Sequence, residues 1–262
     1  MCYLLILLLI SFITSSVGWV YFIYFFSIGY GLSISTLSVA IVVIFIEQLT
    51  LPTIILCGVL FIYGLRLSLY LFIRERRSAS YRKILYQPDV ATKKPLSTML
   101  MIWLMCALLY VGQMSPVSFY LFNASRLASV SEVWAWIGVA IVTLGVAVEI
   151  VSDAQKSVAK RTNPHRYVDS GLYRIVRCPN YFGEILFWTG VFVSGISTYA
   201  TIGQWITAIV AYICIVYIMF NGAQRLEKRQ MARYGEDEEY NTYANKTPII
   251  IPLLPIYHLN KK

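Results

Sequence analysis

The chain is 262 residues long, 58% hydrophobic and only 13% charged, with a formal net charge of +9. A soluble domain carries roughly twice that charged fraction, so a water-driven globule is excluded and helix packing inside lipid is indicated. The positive excess does not indicate nucleic acid: 20 of the 22 Lys/Arg fall between Arg74 and Lys94, between Ser152 and Tyr181, and from Asn221 onward. That is the positive-inside pattern of a multispanning protein, and no folded basic face for nucleic acid accompanies it.

In chain order, apolar runs approaching the ~20 residues of a span predict seven membrane helices, at about 3–28, 34–50, 52–73, 97–122, 132–151, 182–199 and 202–220. Met1–Ile13 has the apolar core of a signal peptide but no basic leader and no small-residue cleavage site, so it reads as the start of the first span. Pro52 suits the first turn of the third. With the basic segments in the cytoplasm, the amino terminus faces out and the carboxyl terminus faces in. The fold class is therefore an all-α polytopic membrane protein of about seven helices, one integral membrane domain over 1–262. Six spans result if Met1–Tyr30 lies in the interface. No internal repeat is visible, which argues against a transporter built from inverted halves.

The five cysteines (Cys2, Cys57, Cys106, Cys178 and Cys214) are scattered, and only His165 and His258 accompany them. Without a C-x-x-C pair or a Cys/His cluster no metal site is expected, and buried free thiols are the reading.

Ionisable groups at membrane depth cost several kcal/mol unless paired or wet. Glu47 stands in the apolar stretch Ile41–Leu51. Such a setting raises a carboxyl pKa and leaves a neutral hydrogen-bond donor at pH 7, which makes Glu47 a catalytic candidate. A pairing with Arg66 across two helices is the plainer account.

The densest polar stretch runs from Glu149 to Glu184. If the fifth helix continues past Val151, Glu149, Asp153, Lys156 and Lys160 share one face. Gly171 ends a turn, Arg174 and Arg177 follow at helical spacing, and Pro179 opens the next helix. Asn180 and Tyr181 then lie beside unsatisfied backbone N–H groups that favour an anion, with Glu184 one turn further in. Such convergence suits a phosphate-bearing cofactor entering from the cytoplasm. The tail adds Arg225 and Arg229 on one helix face, then Tyr234, Tyr240 and Tyr243. Tyrosines at this level also serve as plain interfacial anchors.

These residues carry a resemblance. Gly171-Leu-Tyr-Arg-Ile-Val-Arg-Cys-Pro-Asn-Tyr-Phe-Gly-Glu184 resembles the G-L-W-R-x-S-R-H-P-N-Y-F-G-E motif of the DUF1295 group of steroid 5-alpha-reductase-like membrane proteins. Asp153-Ala-Gln-Lys156 resembles the D-x-Q-K of that group. Gly64-Leu-Arg-Leu-Ser68, with Arg74 and Tyr81-Arg82, resembles its W-G-L-R-L-S…R…R-Y block, and Tyr240…Tyr243…Pro248 its Y-x-x-Y-x-x-x-T-P ending. The likeness covers about 15–255. It implies a seven-helix enzyme holding NADPH on the cytoplasmic side, in a half spanning about 149–250, and passing hydride to a carbon–carbon double bond conjugated to a carbonyl in a lipid or steroid-like substrate. By position, Asp153, Lys156, Arg174, Arg177, Asn180, Tyr181 and Glu184 would line the cofactor site, and Arg225, Tyr240 and Tyr243 would close it. Tyr181, with Glu47, is a catalytic candidate. In this chain the motif His is Cys178 and the block's Trp is Tyr63. The related methyltransferases that use S-adenosylmethionine share the R-H-P-x-Y-x-G core, so a methyltransferase is the alternative, and an inactive lipid-binding protein a second.

Overall fold

The computed structural model describes residues 2–77, 94–124, 126, 127 and 130–260. Tyr81 and Arg82 of the expected R-Y block lie outside the described residues. Eight α-helices are found among those described: α1 (Cys2–Ser15), α2 (Ile28–Ile44), α3 (Leu51–Arg77), α4 (Leu96–Ala124), α5 (Val133–Thr162), α6 (Pro179–Ser194), α7 (Ile202–Tyr234) and α8 (Glu238–Lys246). No strand occurs among the described residues. Five helical segments are long and apolar enough to cross a membrane, at Cys2–Trp19, Leu51–Ile73, Leu96–Ala124, Val133–Thr162 and Ile202–Tyr234. The chain is an integral, multi-pass membrane protein.

The first expected span is corrected. Instead of one helix over 3–28, α1 stops at Ser15 and two short 3₁₀ turns, Ser16–Trp19 and Phe22–Phe26, lead into α2. Side-chain hydroxyls account for the stop: Thr14 donates to the Ile10 carbonyl (2.9 Å), Ser15 to Ser11 (2.6 Å) and Ser16 to Ile13 (2.6 Å). Such back-bonding competes with the backbone ladder and bends a helix. The helix α2 then begins at Ile28 and ends at Ile44, so the second expected span, 34–50, is displaced toward the amino terminus.

Two compact units make up the chain, Met1–Val139 with Val191–Ala211, and Ala140–Gly190 with Tyr212–Lys262. In the first unit α2 and α3 cross antiparallel through small residues. A Cβ on Gly31 would stand 2.5 Å from the Gly64 carbonyl oxygen, and one on Gly64 would stand 2.6 Å from Ser35 Oγ. Ser35 donates to the Phe61 carbonyl (2.9 Å), Ser38 to Cys57 (2.5 Å) and Ser68 to Ile28 (3.1 Å). Close backbones joined by hydroxyls are how helices associate without a hydrophobic drive. Gly64 and Ser68 of the Gly64–Ser68 block are thereby packing residues. Against α4, α1 is fixed by Ser11 donating to the Ala107 carbonyl (3.1 Å) and Trp103 Nε1 to Phe12 (3.1 Å).

In the second unit α5 and α6 cross at Gly145 and Gly183, where a Cβ on Gly145 would stand 2.6 Å from the Gly183 oxygen. Thr189 Oγ1 and Tyr212 OH, 2.8 Å apart, join α6 to α7. Asp237 caps α8 by accepting from the backbone N–H groups of Glu239 and Tyr240 at 2.9 and 3.4 Å, which satisfies donors that a helix start leaves open.

Candidate functional site

The polar residues of the second unit are organised around the segment between α5 and α6. Helix α5 continues through Thr162, so the face carrying Glu149, Asp153, Lys156 and Lys160 is helical throughout. Gln155 holds the following turn, and its Oε1 accepts from the Leu172 N–H at 2.9 Å. The neighbouring Gly171 has φ +61°, a left-handed conformation open to Gly at little cost. Lys160 donates to the carbonyls of Pro164 (3.4 Å) and Arg166, and to Tyr234 OH (3.2 Å). It is a tether for the loop.

Arg177 is buried beneath this loop. Its Nη2 donates to Glu227 Oε1 at 3.0 Å and to the Tyr257 carbonyl. The same Glu227 oxygen pairs with His258 Nδ1 (2.9 Å), while Oε2 accepts from the Leu259 N–H (2.9 Å), the Asn260 N–H (3.0 Å) and Asn260 Nδ2 (2.9 Å). Backbone N–H groups of Arg177 and Cys178 donate to the carbonyls of Pro248 and Ile249, 2.9 Å each. The R-C-P motif and the T-P ending are thus two halves of one clasp. The Glu227 carboxylate has the full set of partners that a buried charge demands, whereas Arg177 is bonded through Nη2 alone among the described residues.

Tyrosines wall the clasp. Tyr167 stacks on Tyr243 with ring centroids 5.4 Å apart and 20° between planes, and meets Tyr240 edge-on at 5.1 Å. Tyr243 OH donates to the Tyr173 carbonyl at 2.6 Å. Burial pushes the hydroxyls of Tyr167, Tyr240 and Tyr243 up from the ordinary tyrosine value, so they are neutral donors at physiological pH. Above Tyr167 and Tyr243 lies an open cleft of about 570 Å³, whose charged lining includes Arg166, Arg174, Lys246, Asp169, Glu238 and Glu239. Arg166 is committed to Asp169 (3.0 Å) and Glu239 (3.5 Å); the exposed Arg174 shares the cleft with Tyr243.

The first turn of α6 gathers the remaining cofactor candidates. Lys156 lies within electrostatic reach of Cys178, and Arg225, Arg229 and Glu184 within reach of Tyr181. Lys156, Arg225 and Arg229 are exposed, while Asp153, Asn180, Tyr181 and Glu184 are half-buried. A Cβ on Gly222 of α7 would stand 3.2 Å from the Tyr181 ring, so the ring lies on bare α7 backbone. Burial pushes the Cys178 thiol up to about 12, against the pull of Arg177 and Lys156. Such a thiol is inert as a nucleophile.

Glu47 is not among these groups. It stands exposed on the 3₁₀ turn Ile46–Gln48 between α2 and α3, outside the packed helices. Arg66 lies 15 residues beyond Leu51 in α3, about 22 Å along the axis at 1.5 Å per residue, which excludes the alternative pairing. Sequence reasoning also passed over Gln155, Glu227, His258 and Asn260. A glutamate in a charge-rich tail carries no local mark of burial; only Gln155, inside Asp153–Lys156, had a motif to announce it.

A family model described as "Protein of unknown function (DUF1295)" matches residues 10–247. No curated protein and no solved structure matches the chain.

Proposed function

The chain belongs to the DUF1295 family, and on that premise we propose that it is an NADPH-dependent membrane reductase acting on a carbon–carbon double bond conjugated to a carbonyl in a steroid-like or other lipid. One observation carries the reading: exposed cations from two helices, Lys156 of α5 and Arg225 and Arg229 of α7, act electrostatically on Cys178 and Tyr181 at the start of α6. A helix start with unsatisfied N–H groups and added positive charge suits phosphate oxygens. S-adenosylmethionine carries no phosphate and offers these cations a single carboxylate, which favours the reductase over the methyltransferase.

NADPH, when bound, supplies the hydride. Lys156, Arg225 and Arg229 would hold its phosphates, with Arg174 available along the cleft and the Tyr243 ring closing it. Asp153, Asn180 and Glu184 would accept or donate hydrogen bonds at the edge of the site. The buried Arg177 and Tyr240 form its floor. Tyr181, on the same turn, would present a hydroxyl to developing negative charge. The orientation that accompanies this reading is seven spans, the 16-residue α6 and 17-residue α2 included, with the amino terminus out and the cofactor side cytoplasmic. It rests on the distribution of Lys/Arg.

The test is ligand binding by purified protein in detergent. Saturable NADPH binding that weakens with salt is expected, and Arg225→Ala with Arg229→Ala should lower affinity about 10-fold or more, since a charge-assisted contact contributes about 1.5–3 kcal/mol. Saturable S-adenosylmethionine binding with no NADPH binding overturns the proposal.

A further inference from the structure

The first unit contains a buried amide that its own packing does not serve. Ten consecutive residues of α4, from Gly112 to Leu121, are buried. Gln113, among them, is 3% exposed, and neither its Oε1 nor its Nε2 has a hydrogen-bond partner among the described residues. Several polar side chains around it are served, although Ser115 Oγ on the same helix is also unpartnered among the described residues. Ser11 donates to the Ala107 carbonyl, Tyr110 to Phe25, Ser118 to Ser115, and Asn123 to both Thr198 (2.8 Å) and Gln204 Oε1 (2.9 Å). A buried amide with both of its polar atoms left over requires an explanation.

The surroundings of Gln113 cannot supply one. Contacts at Ser11–Ala107 and at the Tyr3 and Phe122 rings, 4.9 Å apart, bracket the level of Gln113 on α1. The Tyr30 and Tyr110 rings, 5.4 Å apart, fix α2 one turn away. Between those points the fully buried apolar side chains are Leu7, Ile34, Leu37 and Ile41. The buried serines of α2 are engaged elsewhere, Ser33 with Thr14 Oγ1 (2.9 Å), Ser35 with the Phe61 carbonyl and Ser38 with the Cys57 carbonyl. On the remaining side Gly112 brings α4 close to Ala211, whose Cβ would stand 3.1 Å from one added at Gly112. Ser115, also unpartnered, is two residues on and so points to the opposite side of the helix; it does not complete a pair with Gln113.

We infer that Gln113 is the polar contact for the oxygen-bearing end of an otherwise apolar lipid that lodges in the first unit. Its Nε2 donates to a carbonyl or hydroxyl oxygen, and its Oε1 accepts from a hydroxyl. An amide suits such a contact in lipid because it donates and accepts without carrying charge. The identification of that oxygen as the carbonyl of a conjugated ketone rests on the reductase reading; the contact itself does not.

Two photoreactive probes test this in lipid nanodiscs. Both carry the same diazirine-bearing hydrocarbon chain, one ending in a conjugated ketone and the other in methyl. The wild-type protein should label with the ketone probe about 5-fold more than with the methyl probe, the preference conferred by one net neutral hydrogen bond, with the adduct on the α4 peptide. Gln113→Met, nearly the same size and apolar, should fold and lose the preference; Gln113→Leu is the second variant. Equal labelling of the wild type by both probes, or an undiminished preference in Gln113→Met, overturns the inference. NADPH binding is measured on the same samples. A Gln113-dependent preference without NADPH binding leaves this contact standing and removes the reductase; NADPH binding without a preference does the reverse.

Discussion

Arg177 Nη2 lies 3.0 Å from Glu227 Oε1, and each of the two side chains is only 1% exposed. Fifty residues separate them, and the carboxylate also receives the Leu259 and Asn260 amides. Removing one member of a buried pair leaves an uncompensated charge, at a cost of about 3–5 kcal/mol. Glu227→Gln adds a second fault, because its new N–H₂ faces donors. Thermal unfolding in detergent should show a loss of that order, and hydrogen exchange should show faster exchange at Leu259 and Asn260. Unchanged exchange there means that Glu227 does not hold the tail.

Gly171 and Gln155 form a second long-range contact with a measurable consequence. The positive φ of Gly171 and the 2.9 Å bond from Leu172 N to Gln155 Oε1 set the turn that delivers Arg174 and Arg177. Gly171→Ala forces a Cβ into a left-handed conformation and toward the Gln155 side chain. A cost of about 1–2 kcal/mol is expected from the backbone alone, and Gln155→Ala should cost about 1–3 kcal/mol through the unpaired N–H. Because both changes break one contact, the double variant should lose less than the sum; full additivity in thermal unfolding would deny the coupling.

Cys178 stands where the resembled motif has a histidine, and its thiol is pushed up to about 12 by burial. A raised thiol pKa keeps the neutral form through the neutral range. At pH 8 the thiolate fraction is on the order of 1 in 10,000, and reaction requires thiolate and access. N-ethylmaleimide at pH 8 should therefore modify the exposed Cys2 in the native protein and leave Cys178 untouched until denaturant is added. Prompt native-state labelling of Cys178, read by peptide mass, contradicts the burial.

The helices were legible in the sequence because hydropathy over some 20 residues is a sum to which every residue contributes. The long α3, α4, α5 and α7 lie where apolar runs predict them. The end of α1 was not legible: Thr14, Ser15 and Ser16 are few enough to leave the local average apolar, yet their hydroxyls act on individual carbonyls. The site divides the same way. Exposed cations at helix ends, Lys156 and Arg225, follow from spacing and position. The role of Glu227 depends on Tyr257–Asn260 returning across α7, and a single sequence carries no sign of which tail residues fold back. Arg177 was marked by its motif, but whether its charge faces a ligand or a carboxylate is set by that same tail.

Glu47 shows how an apolar run can overrun the end of a helix. Its neighbours Phe45, Ile46 and Leu49 are apolar, and a span drawn over 34–50 puts it inside the bundle. The helix in fact ends at Ile44, three residues before it, and Glu47 sits exposed on the following turn. An exposed side chain away from caps, pairs and packing changes stability by about 0.5 kcal/mol or less when replaced. Glu47→Gln and Glu47→Ala should both unfold with the wild type. A structural ion pair with Arg66 would predict a large loss, and the distance along α3 excludes it. The chemistry then separates Glu47 from Gln113. An exposed turn residue cannot set the preference of a buried lipid end, so Glu47→Ala should keep the full ketone-over-methyl labelling ratio that Gln113→Met loses. A Glu47→Ala protein that folds normally but no longer distinguishes the two probes would return the carbonyl contact to Glu47 and take it from Gln113.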